Sequence, residues 1–212
     1  MQRSRLQRLV HSGEIHRASG RVWLFAKNLL VLAVWLAALA GGFAALMRYE
    51  GAVDPSRRAA ATVTPLQTPG IPTLFIGLHP KCPCSRASID ELEKIYSRAP
   101  GKFSIVVLAY KPAGEPDSWI QSPSLTDISR LKPRLIVDTN GVEATQLGLT
   151  VSGQVALYGA DGQLLYSGGI TGSRGHRGDN LGEQTVLDLL NGERPSGVSA
   201  PAFGCSLIDA TP

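Results

Sequence analysis

From Leu29 to Met47 the chain reads LLVLAVWLAALAGGFAALM, nineteen residues with no charge among them. Rising 1.5 Å per residue as a helix, the run spans about 28 Å, close to the ~30 Å of a bilayer's hydrocarbon core. The preceding stretch Arg21–Lys27 (RVWLFAK) can extend it if the helix tilts. Six basic residues (Arg3, Arg5, Arg8, Arg17, Arg21 and Lys27) lie ahead of the run against a single Glu14, and the charges behind it are mixed. The positive-inside rule then predicts an N-terminus in the cytoplasm and the remainder outside. Ala38-Leu39-Ala40 offers a cleavage site, so a removed signal peptide competes with an uncleaved anchor. The long basic arm favours the anchor. Either way the rest is exported: the expected location is the inner (cytoplasmic) membrane, single-pass, with the following domain in the periplasm.

The net charge of +4 belongs to that arm. Everything after Asn28 carries 15 basic and 16 acidic residues, so the basic pI is no argument for nucleic-acid binding. At 212 residues there is room for one ordinary domain plus appendages. Three cysteines in an exported chain leave at least one free, exchanging, or bound to a metal or partner. Their low density excludes a disulfide-stapled miniprotein.

Composition divides the chain into a basic cytoplasmic arm (1–28), a transmembrane helix (29–47), a linker (48–70), a domain (71–192) and a C-terminal tail with Cys205 (193–212). Inside the domain, strand and helix signals alternate. Leu74–Leu78 is a short apolar strand, and Ser85–Ser97 places Ile89, Leu92 and Ile95 on one helical face. Phe103–Tyr110 and Leu135–Val137 read as continuously apolar, buried strands. A short helix over 142–147 precedes strands 154–158 and 163–167 about an Ala160-Asp161-Gly162 turn. A last helix covers 181–190, and a further one is expected between Trp119 and Lys132. This order predicts an α/β domain, a mixed central sheet flanked by helices.

Cys82-Pro83-Cys84 stands where the first strand runs into the first helix of the domain. Proline is favoured at the first helical position, which predicts Cys82 at the N-cap and Cys84 within the first turn. Unpaired N–H groups and the positive end of the helix dipole would then face the Cys82 sulfur and favour its thiolate. Residues two apart on a helix point to different sides, so a Cys82–Cys84 disulfide would be strained, easily reduced and therefore oxidising. Cys205 is the other available partner, and Phe203 is an anchor that can bring it inward. The bland reading of the pair is a stable disulfide or two buried thiols.

The motif's position, the stretch Ile136-Val-Asp-Thr-Asn140 with Ala144-Thr-Gln-Leu-Gly-Leu149, and the hairpin over Gln154–Gly169 together resemble a thioredoxin-like protein. More narrowly, His79-Pro-Lys-Cys-Pro-Cys-Ser-Arg-Ala-Ser88, Gly168-Gly-Ile-Thr-Gly-Ser-Arg-Gly-His176 and Phe203-Gly-Cys205 resemble the membrane-anchored proteins labelled RedB. The likeness covers roughly residues 71–192. It implies a thioredoxin-like fold and thiol–disulfide exchange with another exported thiol or disulfide protein, without a cofactor. Cys82 would attack, Cys84 or Cys205 would resolve the mixed disulfide, and Lys81 would add charge nearby. Two departures stand out: the spacing is Cys-x-Cys where the family has Cys-x-x-Cys, and Gly153 takes the place of its cis-proline.

A binding protein of another kind competes with this reading. Soft thiolates select Cu(I) or Zn, and Cys82, Cys84 and Cys205 with His79 or His176 could make a copper carrier. The loop Thr171–Asn180 (TGSRGHRGDN) is either a mobile surface loop or a source of charge and protons, through Arg174 and His176, beside the thiolate. Its glycines do not form a phosphate loop, so no nucleotide is expected. A non-catalytic anchored module is the third possibility.

Overall fold

The computed structural model describes residues 3–50, 65–197 and 199–208. It consists of two units, residues 1–49 and 50–212. The first is a single helix, α1 (Arg3–Glu50). Its Phe25–Tyr49 portion is long and apolar enough to cross a membrane, and it holds the expected 29–47 span within it. Side chains such as Leu30, Trp35 and Phe43 stand exposed along it. Most of the 48–70 linker, residues 51–64, lies outside the described residues. Its last part packs on the domain: Leu66 is half-buried against the sheet, and the Thr68 N–H donates to Thr73 Oγ1 (3.1 Å).

The second unit contains β1 (Thr73–Leu78), α2 (Ser85–Arg98), β2 (Ser104–Lys111), α3 (Pro123–Ile128), β3 (Arg134–Thr139), α4 (Val142–Gln146), β4 (Val155–Tyr158), β5 (Leu164–Gly168) and α5 (Leu181–Asn191). Short 3₁₀ turns at Asp117–Ile120 and Ser129–Leu131 flank α3. The region expected to hold one helix between Trp119 and Lys132 thus holds a broken one. The sheet order is β3-β2-β1-β4-β5, with β1, β2 and β3 parallel and the β4–β5 hairpin antiparallel.

The period-2 geometry of each strand sorts its side chains between two cores. Leu74, Ile76 and Leu78 of β1 with Ile105 and Val107 of β2 meet Ile89, Leu92 and Ile95 of α2 and Val186 and Leu187 of α5. Phe75, Val106, Leu108 and Tyr158 pack on the opposite face with Leu147, Leu149 and Leu207. One strand departs from expectation. Leu135 and Val137 of β3 are 49% and 39% exposed, because β3 is the edge of the sheet and its outer face extends past the cover of the helices.

The segment read from sequence as a tail is packed into the domain as far as it is described. Ala202 and Leu207 are buried, the Leu207 N–H donates to Thr150 O (2.8 Å), and Ser206 forms an antiparallel bridge with Val151.

Candidate functional site

The Cys-Pro-Cys turn leaves the end of β1 differently from the expected cap. α2 begins at Ser85 with Cys84 at its N-cap, in helical backbone geometry and without a side-chain cap bond. Cys82 lies two residues further out. Its N–H closes a turn on His79 O (3.0 Å), and its carbonyl accepts from the Ser85 N–H (3.3 Å). A proline at the first helical position does occur, but at Pro123, behind the Ser122 cap of α3. Pro83 spends its fixed φ on the turn that precedes the helix.

Cys205 arrives from the C-terminal segment, which crosses beside the loop between α4 and β4. The Ser152 N–H donates to Cys205 O (2.9 Å). Gly204 is required for the approach, since a Cβ there would collide with the Ser152 carbonyl. The result is a cluster in which the Sγ atoms of Cys82, Cys84 and Cys205 all lie within 4.8 Å of one another, each a free thiol.

The three sulfurs are not electrostatically equal. Burial alone would push the Cys82 thiol up. The Cys205 thiol and backbone N–H, the Ser85 hydroxyl and the Cys84 backbone N–H donate to its sulfur and bring it below the ordinary cysteine value. Two backbone amides thus stabilise the thiolate, one of them from the C-terminal segment. Burial and the charge of Cys82 push Cys84 up, with Arg174 pulling partly the other way. Burial, the hydrogen bond to Cys82 and the charge of the neighbouring sulfurs raise Cys205 to about 12. Of the three sulfurs, Cys82 is therefore the one that ionises most readily.

Sequence reasoning missed Ser85 and Ser152, whose hydroxyls lie 2.7 Å apart. Ser152 Oγ also accepts the His79 N–H (2.8 Å), and the Ser85 side chain also hydrogen-bonds Cys82. Serines after a cysteine motif are too common to have been singled out. Their role exists only because the α4–β4 loop folds back over the start of α2.

The supporting residues fall into place unevenly. His79 is buried, accepts the Lys81 N–H at Nδ1 (3.2 Å) and stacks on Tyr110 with ring centroids 5.3 Å apart. Among the described residues, the sulfur group within 4.8 Å is made of Cys82, Cys84 and Cys205 and includes neither His79 nor His176. Lys81 Nζ lies over the Trp119 ring, 4.4 Å from its centroid. Arg174 donates through Nη1 to Gly204 O, next to Cys205. Gly153 (φ +92°) faces α2, where any Cβ would meet Ser88, and no cis peptide bond occurs among the described residues.

The Thr171–Asn180 loop is clamped to α2 by Arg177–Asp90 (2.9 Å) and by the Gly178 N–H on Glu91 (2.7 Å). It leans on the site: a Cβ at Gly175 would stand 4.0 Å from Cys84 Sγ. Cys82 itself is 4% exposed. It opens on a groove of about 500 Å³ lined by Pro80, Lys81, Pro83, Arg86 and Ser122.

No protein-family model and no curated protein sequence matches the chain. Solved structures do. An uncharacterized conserved protein from Geobacillus kaustophilus superposes with a TM-score of 0.52 at 13% identity, over 75% of this chain and 94% of that one. A hypothetical protein from Sinorhizobium meliloti gives 0.51 at 17%, over 74% and 96%. A thioredoxin-like protein from Aeropyrum pernix gives 0.37 at 13%, over 75% and 98%. The likeness to the first two is one of fold. The domain is a thioredoxin-like α/β fold with its cysteine motif between β1 and α2.

Proposed function

We propose that this protein is a membrane-anchored thiol–disulfide oxidoreductase acting on other exported thiol or disulfide proteins. One observation carries the reading: three thiols meet, Cys82 among them lining a groove, with hydrogen bonds that favour the thiolate at Cys82 and the protonated form at the other two. A thiolate is the attacking form, and a protonated neighbour is held in reserve to resolve.

In the reducing direction, the Cys82 thiolate attacks one sulfur of a substrate disulfide. A Cys82–substrate disulfide forms, and the other substrate sulfur leaves as a thiolate and takes a proton. Cys205 or Cys84, deprotonated in turn, attacks Cys82 Sγ and expels the second substrate thiol. Two electrons have passed to the substrate, and the protein holds one internal disulfide. The reverse sequence oxidises a substrate dithiol. Arg174 lowers the cost of the second thiolate. α1 serves as an uncleaved anchor, with the N-terminus in the cytoplasm and the domain in the periplasm.

Equilibration of the full chain with glutathione at graded ratios, followed by differential alkylation and mass mapping, tests the chemistry. A single reversible two-electron couple that includes Cys82 is expected. If all three thiols alkylate at every ratio, the oxidoreductase reading fails. Protease protection in spheroplasts tests the topology: the domain should be digested and the arm spared.

A further inference from the structure

The sulfurs meet without the fourth partner that structural zinc demands. Among the described residues the metal-ligating group holds Cys82, Cys84 and Cys205 alone, with every pair of Sγ atoms within 4.8 Å. An ion bonded to three sulfurs in a plane at about 2.3 Å holds them about 4 Å apart. The trio is within reach of that arrangement through small side-chain adjustments. Structural zinc takes four ligands in a tetrahedron, whereas soft thiolates select Cu(I). Among the described residues, no carboxylate or imidazole joins the group. The Gly175 backbone lies against Cys84, and the Gly204 backbone packs on Ser152. The Arg174 guanidinium is tied to Gly204 O, one residue from Cys205, and puts a fixed positive charge beside sulfurs that would be anionic. Burial of Cys82 keeps water and oxidants from that side.

We infer that Cys82, Cys84 and Cys205 form a three-coordinate, all-sulfur site for Cu(I). Binding forms three S–Cu bonds, breaks the S–H bonds of Cys84 and Cys205 and releases their two protons, Cys82 entering as its thiolate, with no change in copper oxidation state. The disulfide chemistry draws on the same atoms. Oxidising any pair removes two ligands and two electrons from the site, so copper is held by the reduced protein only. The ligand set is specific: the His79 ring stacks on Tyr110, and Cys205 comes from a segment far along the chain that the fold alone delivers.

Full-length protein in detergent, reduced and kept anaerobic, is titrated with Cu(I) held by the competing chelator bicinchoninate. One equivalent is expected to transfer, and X-ray absorption should report three sulfur neighbours without imidazole scattering. Cys205→Ser should weaken the site by at least about a hundredfold, since even outer-shell changes cost ten- to hundredfold in metal affinity. Cys84→Ser should do the same, and circular dichroism identifies any variant that has merely lost its fold. Oxidised wild type should take up none. Failure of the reduced protein to compete, two-sulfur coordination, a histidine ligand, or unchanged affinity in Cys205→Ser each overturns the proposal. The glutathione couple can survive all of these results, so the two activities are judged separately.

Discussion

A sulfur that is 4% exposed ought to be a poor anion, and Cys82 is kept reactive by what its burial brings with it. The same packing that excludes water aims the Cys84 and Cys205 amides and the Ser85 hydroxyl at Sγ. A hydrogen bond to a charged acceptor in such a place contributes about 1.5–3 kcal/mol. Ser85→Ala should therefore leave the fold intact and raise the Cys82 thiol. Its alkylation rate at neutral pH should fall by about tenfold or more, read by stopped-flow with iodoacetamide. An unchanged rate would show that the backbone amides suffice. Gly153 belongs to the same scale: its positive φ and contact with Ser88 let the α4–β4 loop lie close on α2.

Among the elements, α2 matters most, since it carries the motif at one end and the loop clamp in its middle. Ile89, Leu92 and Ile95 hold it to the sheet, and Glu91 reaches Lys94 (2.8 Å) and the Gly178 N–H on its other side. Facing Glu91 across the α2–α5 contact is Glu183, buried and paired with Arg98 at 3.3 Å. Burial first, then the charge of Glu91, raises the Glu183 carboxyl above its ordinary 4.5, with Lys94 and Arg98 opposing. A carboxyl raised on folding binds its proton more tightly in the native state. Its contribution is thus complete below 4.5 and is lost as pH climbs toward the raised value. Glu183→Gln should flatten that decline, measured as urea midpoints across the mildly acidic range. A variant with the same slope as the wild type would remove Glu183 from the account. α5 itself starts on the Asn180 side chain, which accepts the Glu183 N–H (2.9 Å), so the loop, the cap and the carboxyl pair act together.

At the scale of the whole molecule, the C-terminal segment completes both the core and the site. Leu207 is fully buried against Gly77 of β1 and Leu149, two residues after Cys205. Leu207→Ala should cost about 2–5 kcal/mol of stability, as buried Leu→Ala changes do. If Cys205 is the resolving thiol, the change should also shift the glutathione midpoint toward more oxidising ratios, because Cys205 is then held less firmly. A midpoint unmoved by a measured loss of stability would separate the tail's packing from its chemistry. The elements were legible beforehand because each carries its own period: alternating or continuous apolar strands, a 3.6-residue stripe in α2, and an unbroken apolar run in α1. The strand-to-helix position of Cys82-Pro83-Cys84 was legible for the same reason. The exact cap was not, since a proline-bearing turn and a first helical turn look alike in sequence and differ only in which carbonyl accepts. Edge exposure of Leu135 and Val137 was equally hidden, because strand order is a pairing between distant segments. Local periodicity set the α/β elements and the apolar helix. Only tertiary folding could carry Cys205 from the far end of the chain to Cys82, because contacts across more than a hundred residues depend on the whole packed sheet and on no single stretch of it.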